Sequence, residues 1–590
     1  MDTPLMYRYD LAPSEHMEAD TQTDKSMIQT PPRSMPGTFE RSRRLRILAL
    51  AVALGLAVFG LTEIPYRVVE AWTPDGYVFV TPIALAMDIN SYYSFIQQAK
   101  AGHWLFRNNM THEPHEPAFF NLEWLALGKC MAWFGWSERQ SFVIWRGAGS
   151  VALLAGFAAL AIVVLPRTSQ RAVALLLCAF GGGFGWIMAG LDLAGLLSMD
   201  DPRGLKNPGM DHIFAIHPFS QIMKNPHYSL PHGTYLVFIA LFVAAERTGK
   251  KRWYAAAAAM ALVQGLMRPY DLMTIYALIP AYIAVEAIGT RALDLKRELL
   301  RMLPLLVAAP LLAYYAYIFK FHPVFSYWAS QGDQPPPKLL WHCLTLGLVG
   351  MLVLFRFVRR RDFPFSDPAE RLLLIWAASI FILFHANRLT RLLSFSPQIG
   401  VPLMSPLILL AVGLLPPLED RWKMARPVAW KLAVASFVMI NALSTPLYAV
   451  YGAQMGAVSS RNFLRKTDLD AIQWLDQHTT ESDVVLASEP MGNRIAFFVH
   501  TRVAVGHWAL TPHIKRLKKK TAELLEGEMT PQRAARFIDG INATYVYCAD
   551  SPGNAGPEYF ERIPGLQIAY SNRDVSIFEV NTFHTDPDQS

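Results

Sequence analysis

The side chains best suited to chemistry crowd into one polar stretch, Met87–Pro117, directly after the first long apolar segment. Asp88, Tyr92, Tyr93, Glu113, His115 and Glu116 all lie in it. Asp88 follows the Pro-containing apolar segment 78–87. A partly buried carboxylate with a raised pKa at such a place takes a proton from a hydroxyl group as a general base. Aspartate is also a preferred helix N-cap, which is the structural alternative. His112, Glu113, His115 and Glu116 offer imidazole and carboxylate ligands to a divalent metal. Pro114 and Pro117 impose an extended backbone, however, and the helical HExxH spacing is absent. Holding a polar ligand, or forming a solvated turn, therefore outweighs a metal centre. No metal ligands are assigned, and metal dependence is left open.

These residues sit in a chain built for a bilayer. Of 590 residues, 52% are hydrophobic and 17% charged, well below the roughly 25% charged of soluble domains. Repeated uncharged runs approach the about 20 residues that cross the hydrocarbon core, which identifies a polytopic helical membrane protein. The net charge of +7 comes from short Lys/Arg clusters between apolar runs, which read as topology determinants and not as a nucleic-acid surface. The four cysteines show neither CxxC nor metal-ligand spacing. Residues 1–40 lack apolar periodicity and read as a disordered tail. Arg41, Arg43, Arg44 and Arg46 then place the N-terminus in the cytoplasm, ahead of an uncleaved first span at 47–61.

The segment 118–136 has a span's length but carries Asn121, Glu123, Trp124 and Lys129. Laid flat at the outer interface, it lets every later loop obey the positive-inside bias. The further spans are then 143–165, 172–190, 228–245, 254–268, 271–288, 302–319, 339–357, 372–385, 399–416 and 428–448. That makes about eleven in all, with a large external loop at 65–142. His227 and the pair Arg268 and Asp271 fall at outer span ends, where ionisable groups raise a site hypothesis. An interfacial histidine and an Arg–Asp-capped turn are the simpler readings. Arg388 and Arg391 are external and so defy the charge bias. They either anchor lipid headgroups or clamp a phosphate, which the planar guanidinium suits. A base for an acceptor and a clamp for a phosphate leaving group are what glycosyl transfer from a lipid-linked phosphate requires.

From about residue 466 the pattern becomes that of a small α/β unit, within a C-terminal region set at 451–590. Helices are expected at 468–478, 512–525 and 531–539, and strands at 484–487, 502–505, 545–548, 567–570 and 575–580. No Gly-rich phosphate fingerprint follows any strand, so no nucleotide cofactor is expected.

Several motifs together resemble the GT-C superfamily of membrane glycosyltransferases, on its bacterial branch related to the dolichyl-phosphate-mannose protein mannosyltransferases. They are DINSYYSFIQQAKAGHW (88–104), EPHEP (113–117), LGKCMAWFG (127–135), NPHYSL (225–230), RPYDL (268–272), NRLTRLLSF (387–395) and VGHWALTP (505–512). The resemblance implies a GT-C-like domain over 41–450 with an extracytoplasmic, periplasmic C-terminal α/β domain in the inner membrane of a cell envelope. It implies Asp88 as catalytic base and Arg388 and Arg391 as donor-phosphate ligands. Tyr92, Tyr93, Glu113, His115, Glu116, His227, Arg268 and Asp271 would surround the substrates. Arg268 stands where a histidine is expected in that motif. The implied partners are a polyprenyl-phosphate-linked sugar, membrane lipid, and an acceptor that is a protein, lipid or polysaccharide. A transporter or flippase of a lipid-linked saccharide is the main alternative, and predicts ionisable groups deep within several spans. A scaffold presenting the C-terminal unit would need neither the acidic loop nor the external arginines.

Overall fold

The computed structural model describes residues 38–80, 82–196, 215–331, 339–359, 367–386, 396–414 and 427–581. Arg388 and Arg391, and most of the expected 1–40 tail, lie outside the described residues.

Eleven helices lead to and surround the site: α1 (Thr38–Ala71), α2 (Ala86–Ala101), α3 (Leu122–Phe134), α4 (Glu138–Val164), α5 (Thr168–Phe180), α6 (Gly185–Leu193), α7 (Pro218–Lys224), α8 (Pro226–Thr248), α9 (Lys251–Met267), α10 (Tyr270–Thr290) and α11 (Leu295–Phe321). Among the described residues, seven helices are long and apolar enough to cross a membrane: 41–71, 138–164, 226–248, 270–290, 295–321, 368–386 and 428–457. The pair α5 and α6, bent by 42°, makes an eighth candidate. The other expected spans are helical but shorter. α9 has 17 residues, Met404–Gly413 has 10, and Leu339–Arg359 is broken at Gly347, whose φ of 51° is left-handed. The chain is a multi-pass membrane protein.

Local sequence explains the helix starts nearest the site. Ser137 and Gln140 form a capping box on α4, and Asn121 accepts the Trp124 amide at the start of α3. Asn225 caps α8, with Pro226 in the first helical position where its missing N–H costs nothing. α4 and α8 pack at backbone contact because Gly156 faces Gly233, where a Cβ would lie 2.3 Å from the Gly233 carbonyl oxygen. Small residues at such a crossing drive helix association in lipid, where burial from water contributes little.

α8 is about 34 Å long by its residue count and so spans the core from end to end. At its C-terminal end Glu246 accepts from Arg297 (3.0 Å), Arg301 (2.9 Å) and Tyr254 (2.8 Å). Glu286 of α10 joins the same network through Arg297 (3.1 Å). Arg297 and Arg301 thus neutralise buried carboxylates at one end of the bundle. The cavity described below lies at the other end.

The C-terminal region forms a five-stranded sheet of order β4-β3-β5-β7-β6, from β3 (Val484–Leu486), β4 (Arg502–Val503), β5 (Tyr545–Ala549), β6 (Leu566–Ser571) and β7 (Val575–Val580). β3 runs parallel to β4 and β5, while β7 is antiparallel to β5 and β6. Every expected strand and helix of this unit is present, and β6–β7 is the expected hairpin. The helix Glu489–Phe498 was not anticipated. A two-stranded ladder between β1 (Tyr77–Phe79) and β2 (Phe463–Arg465), with Val78 opposite Leu464, ties the first loop to the C-terminal region.

Candidate active site

α2 lies between two partners, which is why almost all of its residues from Ile89 to Ala99 are buried. On one side Gly128 of α3 meets it at backbone contact: a Cβ there would lie 2.5 Å from both the Ala99 Cβ and the Ile96 carbonyl oxygen. On the other, Asn90 donates to Asn493 (2.9 Å) and Gln97 to the Phe497 carbonyl (3.0 Å), both on the unanticipated helix. The loop after α2 reaches the sheet as well. Val503 donates to the Asn109 carbonyl (2.8 Å), and Thr511 to the Met110 carbonyl (2.6 Å). These contacts carry the segment 505–510 to the start of α2.

The result is a cavity of about 360 Å³ between the apolar helices and the C-terminal unit. Small-molecule sites typically measure roughly 300–1,000 Å³. Asp88, Tyr92, Trp124, Lys224, His227 and Tyr228 line it, with His507 and Trp508 contributed by the C-terminal unit.

Asp88 sits in the first turn of α2. It does not cap the helix: Leu85 holds the N-cap position, in a left-handed conformation (φ 55°) unfavourable for a branched side chain. Such backbone strain is found where a site is held in a required shape. The Asp88 carboxylate instead meets His507, with Oδ1 3.0 Å from Nε2. The Ala509 amide donates to His507 Nδ1 (3.2 Å), so in the neutral ring Nε2 carries the hydrogen and donates it to Asp88. The Asp88 side chain keeps 32% of its surface exposed, so a reactant can reach it.

Tyr92 stacks on Trp124 (4.9 Å between centroids) and meets the His227 ring at 5.2 Å, forming an aromatic wall. Burial first, and then the neighbouring Tyr228 and Asp88, push the Tyr92 hydroxyl well above the ordinary phenol range and keep it a donor. Buried Glu123 places Oε2 2.5 Å from His227 Nδ1 and accepts from Trp145 Nε1 at 2.7 Å. The carboxylate fixes the Nδ1–H tautomer, so Nε2 is the ring atom available to the cavity. Lys224 ends α7 with its ammonium 5.0 Å from the Tyr448 ring centre, and burial lowers its pKa to about 7.

The other expected site residues lie elsewhere. Tyr93 points away from the cavity and bonds Ser141 (2.7 Å) and the Glu138 carbonyl (3.0 Å). Arg268 and Asp271 form a buried pair at 3.1 Å behind the cavity. Arg268 also donates to Gln398 (3.2 Å), whose amide donates to Tyr228 (2.9 Å), so the pair acts on the wall through a hydrogen-bonded chain. His115 laces its own loop: Nε2 accepts the Asn108 amide (2.9 Å), and Nδ1 donates to the Glu113 carbonyl (2.8 Å). Burial lowers its pKa to about 4, so the ring is neutral. Glu116 is solvent-exposed beside Arg107 (3.9 Å). Glu113 borders a separate open groove with His112, His513, Arg516, Lys520 and Arg536.

Sequence reasoning brought Asp88, Tyr92 and His227 to one place but did not single out His507, Lys224, Glu123 or Tyr228. His507 stood inside the VGHWALTP motif and Tyr228 inside NPHYSL, so the motifs carried the signal without resolving the residues.

The bundle, the cavity at its end and the α/β unit over that cavity define a polytopic membrane protein with a GT-C-like fold. Two solved structures of an oligosaccharyltransferase from Archaeoglobus fulgidus share this architecture. AglB in complex with an inhibitory peptide and a dolichol-phosphate superposes at TM-score 0.52, with 12% identity over 87% of this chain and 70% of that one. The apo form gives TM-score 0.51 and 12% identity over 93% of this chain and 76% of that one. ArnT from Cupriavidus metallidurans, bound to undecaprenyl phosphate, gives TM-score 0.47 and 14% identity over 90% and 97%. No protein-family model matches the chain, and no curated protein matches it in sequence.

Proposed function

We propose that this chain is an integral membrane glycosyltransferase that moves a sugar from a polyprenyl-phosphate donor to an acceptor hydroxyl outside the cytoplasm. The observation that supports it most is the Asp88–His507 pair at the mouth of a cavity beside the apolar helices. Asp88 takes the acceptor proton as the acceptor oxygen attacks the anomeric carbon. The bond from that carbon to the phosphate oxygen breaks, its electron pair stays on the phosphate, and a single displacement inverts the centre. His507 orients the carboxylate, and the aromatic wall of Tyr92 and Trp124 receives the sugar.

Lys224 supplies positive charge to the leaving phosphate from within the cavity, and the resemblance adds Arg388 and Arg391 as its clamp. In this reading the N-terminus is cytoplasmic, the C-terminal unit faces the periplasm, and the membrane is the inner one. The mechanism calls on no nucleotide cofactor. A radiolabelled polyprenyl-phosphate sugar, incubated with acceptor-containing membranes, tests the proposal. Label in a covalent product supports transfer. Label that crosses the bilayer still bound to lipid phosphate would establish a flippase instead.

A further inference from the structure

A second cluster of ligating side chains lies where the end of α2 meets the C-terminal unit. His103 follows Gly102, whose left-handed backbone (φ 118°) ends α2. Glu481 stands in the turn before β3, and His500 just before β4. His103 Nε2 is 3.2 Å from Glu481 Oε2, and His500 Nε2 is 4.0 Å from the same oxygen. The two rings meet edge to face with centroids 5.1 Å apart. One ligand atom from each of the three residues falls within 4.8 Å of the others. None of the three lines the cavity of Asp88.

We propose that His103, Glu481 and His500 form a divalent-cation site, of a donor set that zinc takes, that joins the first loop to the C-terminal unit. Two imidazoles and a carboxylate are a common zinc donor set, with water completing the tetrahedron. Zinc bonds of about 2.0–2.1 Å require tetrahedral ligand atoms to stand about 3.3 Å apart. The His103–Glu481 separation already matches, and the others need side-chain shifts of about 1 Å. Such shifts are open to these residues, whose side chains are 38%, 49% and 21% exposed for His103, Glu481 and His500. Arg107 faces His500 and opposes a cation, though it lies beside Glu116. A metal here would fix the C-terminal end of the helix that carries Asp88 against the unit that carries His507.

The test uses the full chain in detergent, purified through a tag without histidine and stripped with EDTA. Zinc chloride is then titrated, with bound metal measured by mass spectrometry and melting followed by fluorescence. The expected result is about one zinc per chain and a melting temperature raised by about 2–4 °C. His103→Gln/His500→Gln should melt like the wild type in EDTA, bind zinc at least about tenfold more weakly and lose the shift. Should that variant melt early in EDTA, Glu481→Gln provides the same comparison. Equal zinc occupancy and an equal melting shift in wild type and variant would overturn the proposal.

Discussion

Replacing Asp88 by Asn keeps the size of the side chain and removes its basicity. The His507 Nε2–H, 3.0 Å from Oδ1, still finds an oxygen acceptor, so the local packing should survive. General-base catalysis contributes typically about 10²–10⁴-fold, or about 2.7–5.4 kcal/mol at 1.36 kcal/mol per decade. Asp88→Asn should therefore lower the rate of transfer by at least about a hundredfold. His507→Leu removes a hydrogen bond to a charged group, worth about 1.5–3 kcal/mol when well shielded. Because Asp88 is about one-third exposed, the lower end applies, and the loss should be about tenfold. If His507 acts through Asp88, the double variant should be no slower than Asp88→Asn alone. The assay is label transfer from a radiolabelled polyprenyl-phosphate sugar in membranes with matched expression. Undiminished transfer by Asp88→Asn would remove Asp88 from the mechanism. Multiplicative losses in the double variant would refute the orienting role of His507.

Three other expectations follow from particular contacts. Lys224, with its pKa lowered to about 7, is protonated below that pH and neutral above it. The Michaelis constant for the donor should therefore rise between pH 6 and 8, and Lys224→Arg should flatten that profile. The same shift means that the native state resists the proton, so Lys224 lowers stability progressively as pH falls from its unfolded value near 10.4 to about 7. Lys224→Met should remove this loss, seen as a higher melting temperature at pH 7 despite lost activity. Gly128→Ala sets a Cβ 2.5 Å from Ala99 Cβ and should cost about 1–3 kcal/mol by forcing α2 and α3 apart. Detergent melting together with transfer rate checks it, and an unshifted melting curve would count against the close approach. Arg268→Met leaves Asp271 buried without its cation and should cost about 3–5 kcal/mol, measured as lost melting stability. Arg268→Met/Asp271→Leu should recover most of that stability.

The sequence by itself determined the class of fold. Uncharged runs of span length can only be buried in lipid or in a core, and short β-branched and aromatic runs bounded by turn residues after 466 read as strands. These are local properties, and both the long helices and the β6–β7 hairpin follow from them. Asp88 was legible for the same reason, as an acidic group in a polar loop next to a span. The count of spans was less so, because a hydropathy run does not register that Gly347 turns left-handed and breaks its helix.

What only the tertiary structure decided is which polar residues meet. Asp88 and His507 are 419 positions apart, and their pairing depends on two interfaces of α2 and on loop contacts to the sheet. Glu113, His115 and Glu116, adjacent in sequence to the best candidates, turn instead to a separate groove, to their own loop and to solvent. Arg268 and Asp271 became a buried positioning pair for the same reason. Proximity along the chain is fixed by covalent bonds, whereas a site is assembled by packing, and packing is decided by the shapes of distant surfaces.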